Sequence, residues 1–212
     1  MATLRFLALG DSYTIGEGVA PGERWPAQLV QRLRARLLQE RAECATYLAV
    51  ADPEIVAATG WTTDELAAGI DRARPEGPYG LVSLLIGVNN QYRGLPLEEY
   101  REQFAALLVR GIGFAGGDAR RVIVLSIPDW GVTPFAAGRD GTRIAGEIDA
   151  FNQAAREIAV RAGAAFVDIT PITRRAAHDV SLVAEDGLHP SGVMYGLWVD
   201  ALLPVVVGAI ET

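Results

Sequence analysis

A chain of 212 residues, half of them apolar, is long enough to bury a sizeable core and fits one α/β domain. Its formal net charge of -7, with no run of Lys or Arg, excludes the electrostatic footprint of a nucleic-acid or anionic-membrane binder. A lone cysteine, Cys44, rules out an internal disulfide; with two histidines far apart in sequence it makes no ligand set of familiar spacing, so no metal or other cofactor is expected.

The first apolar run, Leu4 to Leu9, reads as a strand and leads directly into Gly10-Asp11-Ser12-Tyr13-Thr14. A serine hydroxyl is thereby placed at a strand's C-terminal end, where open α/β sheets hold their chemistry. The N-terminal apolar stretch is too short for a signal peptide, and cleavage there would remove this strand. The protein is therefore expected in the cytoplasm, with the mature form of an exported protein as the alternative. A helix over Pro26 to about Gln39 follows, then strands over Thr46 to Ala49 and Ile55 to Ala58. Gly60 ends that second run, and Thr62 and Thr63 ahead of Asp64-Glu65 cap a helix over Thr63 to Ala73.

A strand over Leu81 to Ile86 ends on Gly87-Val88-Asn89-Asn90, before a helix from Leu97 to about Phe114. A strand over Val122 to Ser126 opens into a loop rich in Gly, Pro and polar residues, Ile127 to Thr142. A helix over Ile144 to Ala162 and a strand over Ala165 to Val167 lead to a second such loop, Thr170 to Leu188. Both loops follow strands, so they are the expected walls of a site. A last helix runs from Ser191 to the C-terminus. Its tract Leu197 to Ile210 is strongly apolar but is interrupted by Asp200 and Pro204 and is shorter than the ~20 residues that span a bilayer, so a buried helix is expected rather than a membrane span. The alternation of apolar runs with helical segments predicts βα units around a mainly parallel sheet, in a single domain over 1–212.

A serine hydroxyl needs a general base to become a nucleophile. His189 has Asp186 three residues earlier across Gly187, and Pro190 keeps its backbone extended. Alternatively, Asp186 caps a turn and His189 is a surface residue before a helix whose N-cap is Ser191. His178, beside Asp179 in an arginine-bearing loop, reads as solvated. Donors for an oxyanion come from the ends of three strands: the Ser12 N–H, Gly60, and the Asn89 side chain. Trp61, Tyr92, Trp130 and Phe135 fall near the proposed cleft, either lining a substrate pocket or sealing the core beneath the loops.

With Ser12, Gly60, Asn89 and His189 in this order, the chain resembles the SGNH hydrolase superfamily, the GDSL esterase and lipase family, over nearly its whole length. The family's blocks stand here as Gly10-Asp11-Ser12, Gly60, Gly87-Val88-Asn89-Asn90, and Asp186 with His189. The resemblance implies a flavodoxin-like three-layer α/β/α sandwich with a mainly parallel central sheet. It also implies a triad of Ser12, His189 and Asp186, and an oxyanion hole of the Ser12 and Gly60 N–H groups with the Asn89 amide. Two positions depart from the pattern: Tyr13 replaces leucine beside the serine, and Asn90 replaces aspartate, which puts the rigidity of that loop in question. The elbow Gly-x-Ser-x-Gly is missing around Ser12, which points away from the α/β-hydrolase fold. The chain is compact for this family, without an inserted lid. The expected activity is hydrolysis of short-chain acyl esters through an acyl-enzyme on Ser12, with a small-molecule ester as substrate. Acyl transfer, or lysophospholipase or thioesterase action at the same site, stands as an alternative. So does a non-catalytic flavodoxin-like module that cradles an anion.

Overall fold

The structure, a computed structural model, describes residues 3–40 and 49–210. The first apolar run divides at Arg5 into β1 (Thr3–Leu4) and β2 (Phe6–Asp11), the latter continuing past Leu9 to the residue before the serine. Then come α1 (Ser12–Ile15), α2 (Trp25–Glu40), β3 (Ala49–Val50), β4 (Glu54–Ala58) and α3 (Thr63–Ala73). The second half adds β5 (Leu81–Leu85), α4 (Val88–Tyr92), α5 (Leu97–Phe114), β6 (Val122–Leu125), α6 (Gly141–Ala162), β7 (Ala165–Val167), α7 (Thr170–Thr173) and α8 (Gly192–Ile210). Of the strand expected over Thr46 to Ala49, only Ala49 lies within the described residues; Cys44 lies outside them.

The central sheet has the order β4-β2-β5-β6-β7, and every neighbouring pair is parallel. Every residue of β2, β5 and β6 is buried, as expected of strands covered by helices on both faces. Full burial of Phe6, Leu7 and Leu9 contributes about 1.5–3 kcal/mol per side chain, so the strand that presents the serine is firmly held. Around the sheet α2 packs on α8, while α5 packs on α3 and α6, completing the three-layer α/β/α arrangement. The chain leaves β2 toward β4 on one side and β5 on the other, so the crevice at the carboxyl ends of β2 and β5 is a topological switch point. Register places Asp11 opposite Ala58 and Gly10 opposite Leu85. The residues just after these three strands therefore emerge at one level.

α8 continues through Pro204 to Ile210, close to the span expected from Ser191 onward. Among the described residues it is the one helix long and apolar enough to cross a membrane, with a mean hydropathy of 1.9. Here it packs against α2 and β7, burying Tyr195, Trp198, Val199 and Leu202. α1 and α4 were not apparent from periodicity because each is about one turn long; α1 follows directly on β2, and α4 follows β5 after Ile86 and Gly87.

Candidate active site

β2 delivers Ser12 into α1 with no intervening loop. Gly10 makes this possible, because a Cβ there would collide with the Thr14 side chain and the Leu85 carbonyl. Asp11 caps α1, its Oδ1 accepting from the Tyr13 N–H at 3.0 Å. The Ser12 Oγ then lies 2.9 Å from Nε2 of His189, a residue 177 positions later in the chain.

His189 is 6% exposed, which overturns the reading of it as a surface residue. An antiparallel bridge between Val183 and Pro190, with the Ala184 N–H donating to the His189 carbonyl at 2.7 Å, holds its backbone extended. Asp186 Oδ1 accepts from the Leu188 and His189 N–H groups, both at 2.9 Å, while its Oδ2 lies 2.6 Å from His189 Nδ1. Partial burial alone would raise the Asp186 pKa. The hydrogen bonds from the imidazole and the two backbone N–H groups outweigh it and hold the carboxyl below its ordinary value. With the Nδ1 proton directed at this carboxylate, Nε2 is left to accept from the Ser12 hydroxyl. The arrangement is thus able to take a proton from serine and hold the resulting imidazolium. His178 is exposed at the end of a 3₁₀ turn and touches none of this.

Tyr13, the departure beside the serine, is buried with its ring 5.3 Å from the His189 imidazole and 6.4 Å from Trp198. It forms a floor under the histidine. Asn89 lines the same cavity as Ser12 and His189, and its Nδ2 donates to the Trp61 carbonyl at 2.9 Å. That bond uses one of two amide hydrogens and fixes the side chain's orientation, leaving the other to donate into the cavity. Asn90, buried, accepts from the Thr63 N–H at 3.1 Å and donates to the Thr63 Oγ1 at 2.8 Å. Those two bonds tie the loop to the start of α3, so its rigidity survives the exchange of aspartate for asparagine. Gly60 follows β4 with φ 81, a conformation that favours glycine, and its carbonyl accepts from Arg93. Two residues beyond Ala58, the register partner of Asp11, it lies at the same end of the sheet as Ser12 but does not line the cavity.

The cavity above Ser12 has a volume of about 130 Å³. Tyr92, Trp130 and Phe135 form its aromatic wall, with ring centroids 5.3–6.1 Å apart. Trp130 is fixed by its Nε1 donating to Gln91 at 2.8 Å, and Arg139 lies 5.1–5.5 Å from the three ring centroids. Phe135 is anchored through its N–H to the Gly187 carbonyl at 2.9 Å. Trp61 is a correction: its indole does not line this cavity but packs over Gly69 of α3, with Arg72 5.7 Å from the ring. Val88 and Leu188 line the cavity without having stood out in the sequence, although each adjoins a residue that did. Among the described residues no three His, Cys, Asp or Glu side chains group in a way that would hold a metal ion.

Asp11 gives a stability prediction. Its side chain is fully buried and, among the described residues, nothing donates to Oδ2. Burial outweighs the backbone hydrogen bonds and raises its pKa from 3.8 to about 7. A carboxyl harder to ionise in the folded than in the unfolded state removes stability as pH rises from its unfolded value through its folded one. Asp11→Asn keeps an acceptor for the Tyr13 N–H and removes the ionisation, so its thermal midpoint should fall less than the wild type's between about pH 4 and 7. Parallel melting curves across that range would remove Asp11 as the source.

Residues 8–197 match the family model described as the GDSL-like Lipase/Acylhydrolase family. The fold is similar to that of an acetylxylan esterase from Geobacillus stearothermophilus, at 20% identity over 96% of this chain and 94% of that one, with a TM-score of 0.69. It is also similar to a lipase/acylhydrolase from Enterococcus faecalis, at 22% identity over 98% and 96% of the two chains and a TM-score of 0.64. A psychrotrophic esterase from Pseudoalteromonas sp., inhibited by monoethylphosphonate, aligns over 100% of both chains at 17% identity and a TM-score of 0.65. No curated protein sequence matches the chain.

Proposed function

This chain belongs to the GDSL-like lipase/acylhydrolase family of ester hydrolases, and we propose that it cleaves short-chain acyl esters through an acyl-enzyme on Ser12. The observation that carries the proposal is the continuous relay from Ser12 Oγ to His189 Nε2 at 2.9 Å and from His189 Nδ1 to Asp186 at 2.6 Å. His189 takes the Ser12 proton as Oγ attacks the acyl carbonyl, and returns it to the departing alcohol. Water then repeats the sequence on the acyl-enzyme. Asp186 fixes the tautomer and stabilises the imidazolium. The oxyanion is held by the Ser12 and Gly60 N–H groups and the Asn89 amide. Asn89→Ala should lower kcat by about 10²- to 10³-fold, measured on one ester at saturation. A loss of less than about threefold would remove Asn89 from that role.

The aromatic wall supports a short acyl chain. The cavity beside it is small, about 130 Å³, which suits a compact acyl group. Rates across acyl lengths from acetyl to palmitoyl should peak among the short esters, and a maximum at long chains would refute the chain-length assignment. The test of the class is mass spectrometry after a fluorophosphonate probe. The adduct should map to Ser12; a chain that stays unlabelled, or is labelled elsewhere, would overturn the serine mechanism.

A further inference from the structure

We propose that Glu17 selects the alcohol half of the ester, disfavouring leaving groups that carry negative charge and favouring neutral or cationic ones. The inference rests on the hydrolase reading above and adds a substrate class to it. α1 is a single turn, closed by Gly16 at φ 67, a left-handed conformation in which an L side chain is strained. The Glu17 N–H then donates to the Ser12 carbonyl at 3.1 Å, so the chain doubles back and returns Glu17 to the level of the serine. There Glu17 Oε2 accepts from the hydroxyl of Thr59, the residue before Gly60, and lies 4.0 Å from His189 Nε2.

The two ring nitrogens therefore face different carboxylates. Asp186, on Nδ1, is fully engaged by three hydrogen bonds. Among the described residues Glu17, on the Nε2 side, takes one hydrogen bond, from Thr59, and is in no ion pair with Lys or Arg; it keeps 39% of its side chain exposed. Of the nearby cations, Arg93 is bound to the Gly60 carbonyl and paired with Glu65 at 3.2 Å, and Arg24 packs its side chain over Gly16 without an ion pair to Glu17 among the described residues. In the reaction the bond from Ser12 Oγ to the acyl carbon forms, the bond from that carbon to the alcohol oxygen breaks, and the proton passes from Oγ through Nε2 to that oxygen. The alcohol thus leaves past Nε2, on the side where Glu17 stands, while the acyl group faces the aromatic wall. At a separation of about 4–6 Å in a partly shielded cleft, a like charge is strongly repelled, and added salt weakens the effect.

The test uses three acetyl esters with the same two-carbon alcohol: ethylene glycol monoacetate, acetylcholine, and 2-acetoxyethyl phosphate. In the wild type at low ionic strength, kcat/KM for the phosphate should lie about tenfold or more below the neutral ester, with acetylcholine at or above it. Glu17→Gln keeps the size of the side chain and an oxygen for Thr59, and should shrink the phosphate penalty to within about threefold. Thr59→Val, which frees the carboxylate from its anchor, should shrink it partway. An unchanged ratio in Glu17→Gln, or a wild type that prefers the phosphate, would overturn the assignment while leaving hydrolysis intact. No turnover of any of the three esters, with Ser12 unlabelled by a fluorophosphonate, would overturn the hydrolase reading and this inference with it.

Discussion

Ser12→Ala should lower kcat by about 10⁵- to 10⁶-fold on any ester the wild type cleaves, and His189→Ala by a similar factor. The two side chains form one unit, 2.9 Å apart and 177 residues apart in sequence, so removing either removes the nucleophile as an activated species. The double variant should be no worse than either single one, because groups that act together do not add. His178→Ala supplies the contrast and should leave kcat unchanged, since that histidine is exposed and outside the cavity. Turnover above about 1% of wild type in Ser12→Ala, with contaminating activity excluded by the fluorophosphonate label, would end the acyl-enzyme mechanism.

Asp186→Asn should cost about 10⁴-fold in kcat with little change in the fold. The carboxylate Oδ1 that accepts from the Leu188 and His189 N–H groups can be replaced by an amide oxygen, so the turn survives. Oδ2 is then replaced by an amide nitrogen that donates to Nδ1 where the carboxylate accepted from it. This reverses the tautomer: Nε2 carries the proton and donates to Ser12 when it needs to accept. The wild-type carboxyl is held below its ordinary pKa by the same contacts, so the variant's deficit should persist across neutral pH and should not be recovered by raising pH moderately. Near-wild-type rates with intact circular dichroism would show that Asp186 does not set the tautomer.

The parts of the site visible in the sequence were those whose geometry is local. Asp186, Gly187 and His189 form one turn, and Ser12 follows its strand without a loop, so residue type and spacing were sufficient. The parallel sheet was equally apparent, because its buried strands are apolar runs, interrupted in β5 only at Ser83. Side-chain direction was not. Trp61 follows Gly60 in sequence as closely as a pocket residue would, but the positive φ at Gly60 turns the chain, and the indole settles where Gly69 leaves room for it. Glu17 carried no motif: only the left-handed closure of α1 at Gly16 brings it back to the imidazole. Tyr13 was recognised as a substitution beside the serine, but its contact with His189 depends on packing across the whole chain.

The hydrogen bond from the Phe135 N–H to the Gly187 carbonyl, reinforced by the approach of Pro134 to Gly187, joins the acyl-side wall to the turn that carries the base. Substrate range and rate therefore share a strut. Rebuilding the segment around Phe135 to admit bulkier acyl groups would shift the imidazole as well, so variants with wider scope should be slower even on the smallest esters. Enlarging the cavity at Val88, which belongs neither to the aromatic wall nor to that contact, leaves the strut in place and is the better route to altered selectivity at undiminished speed.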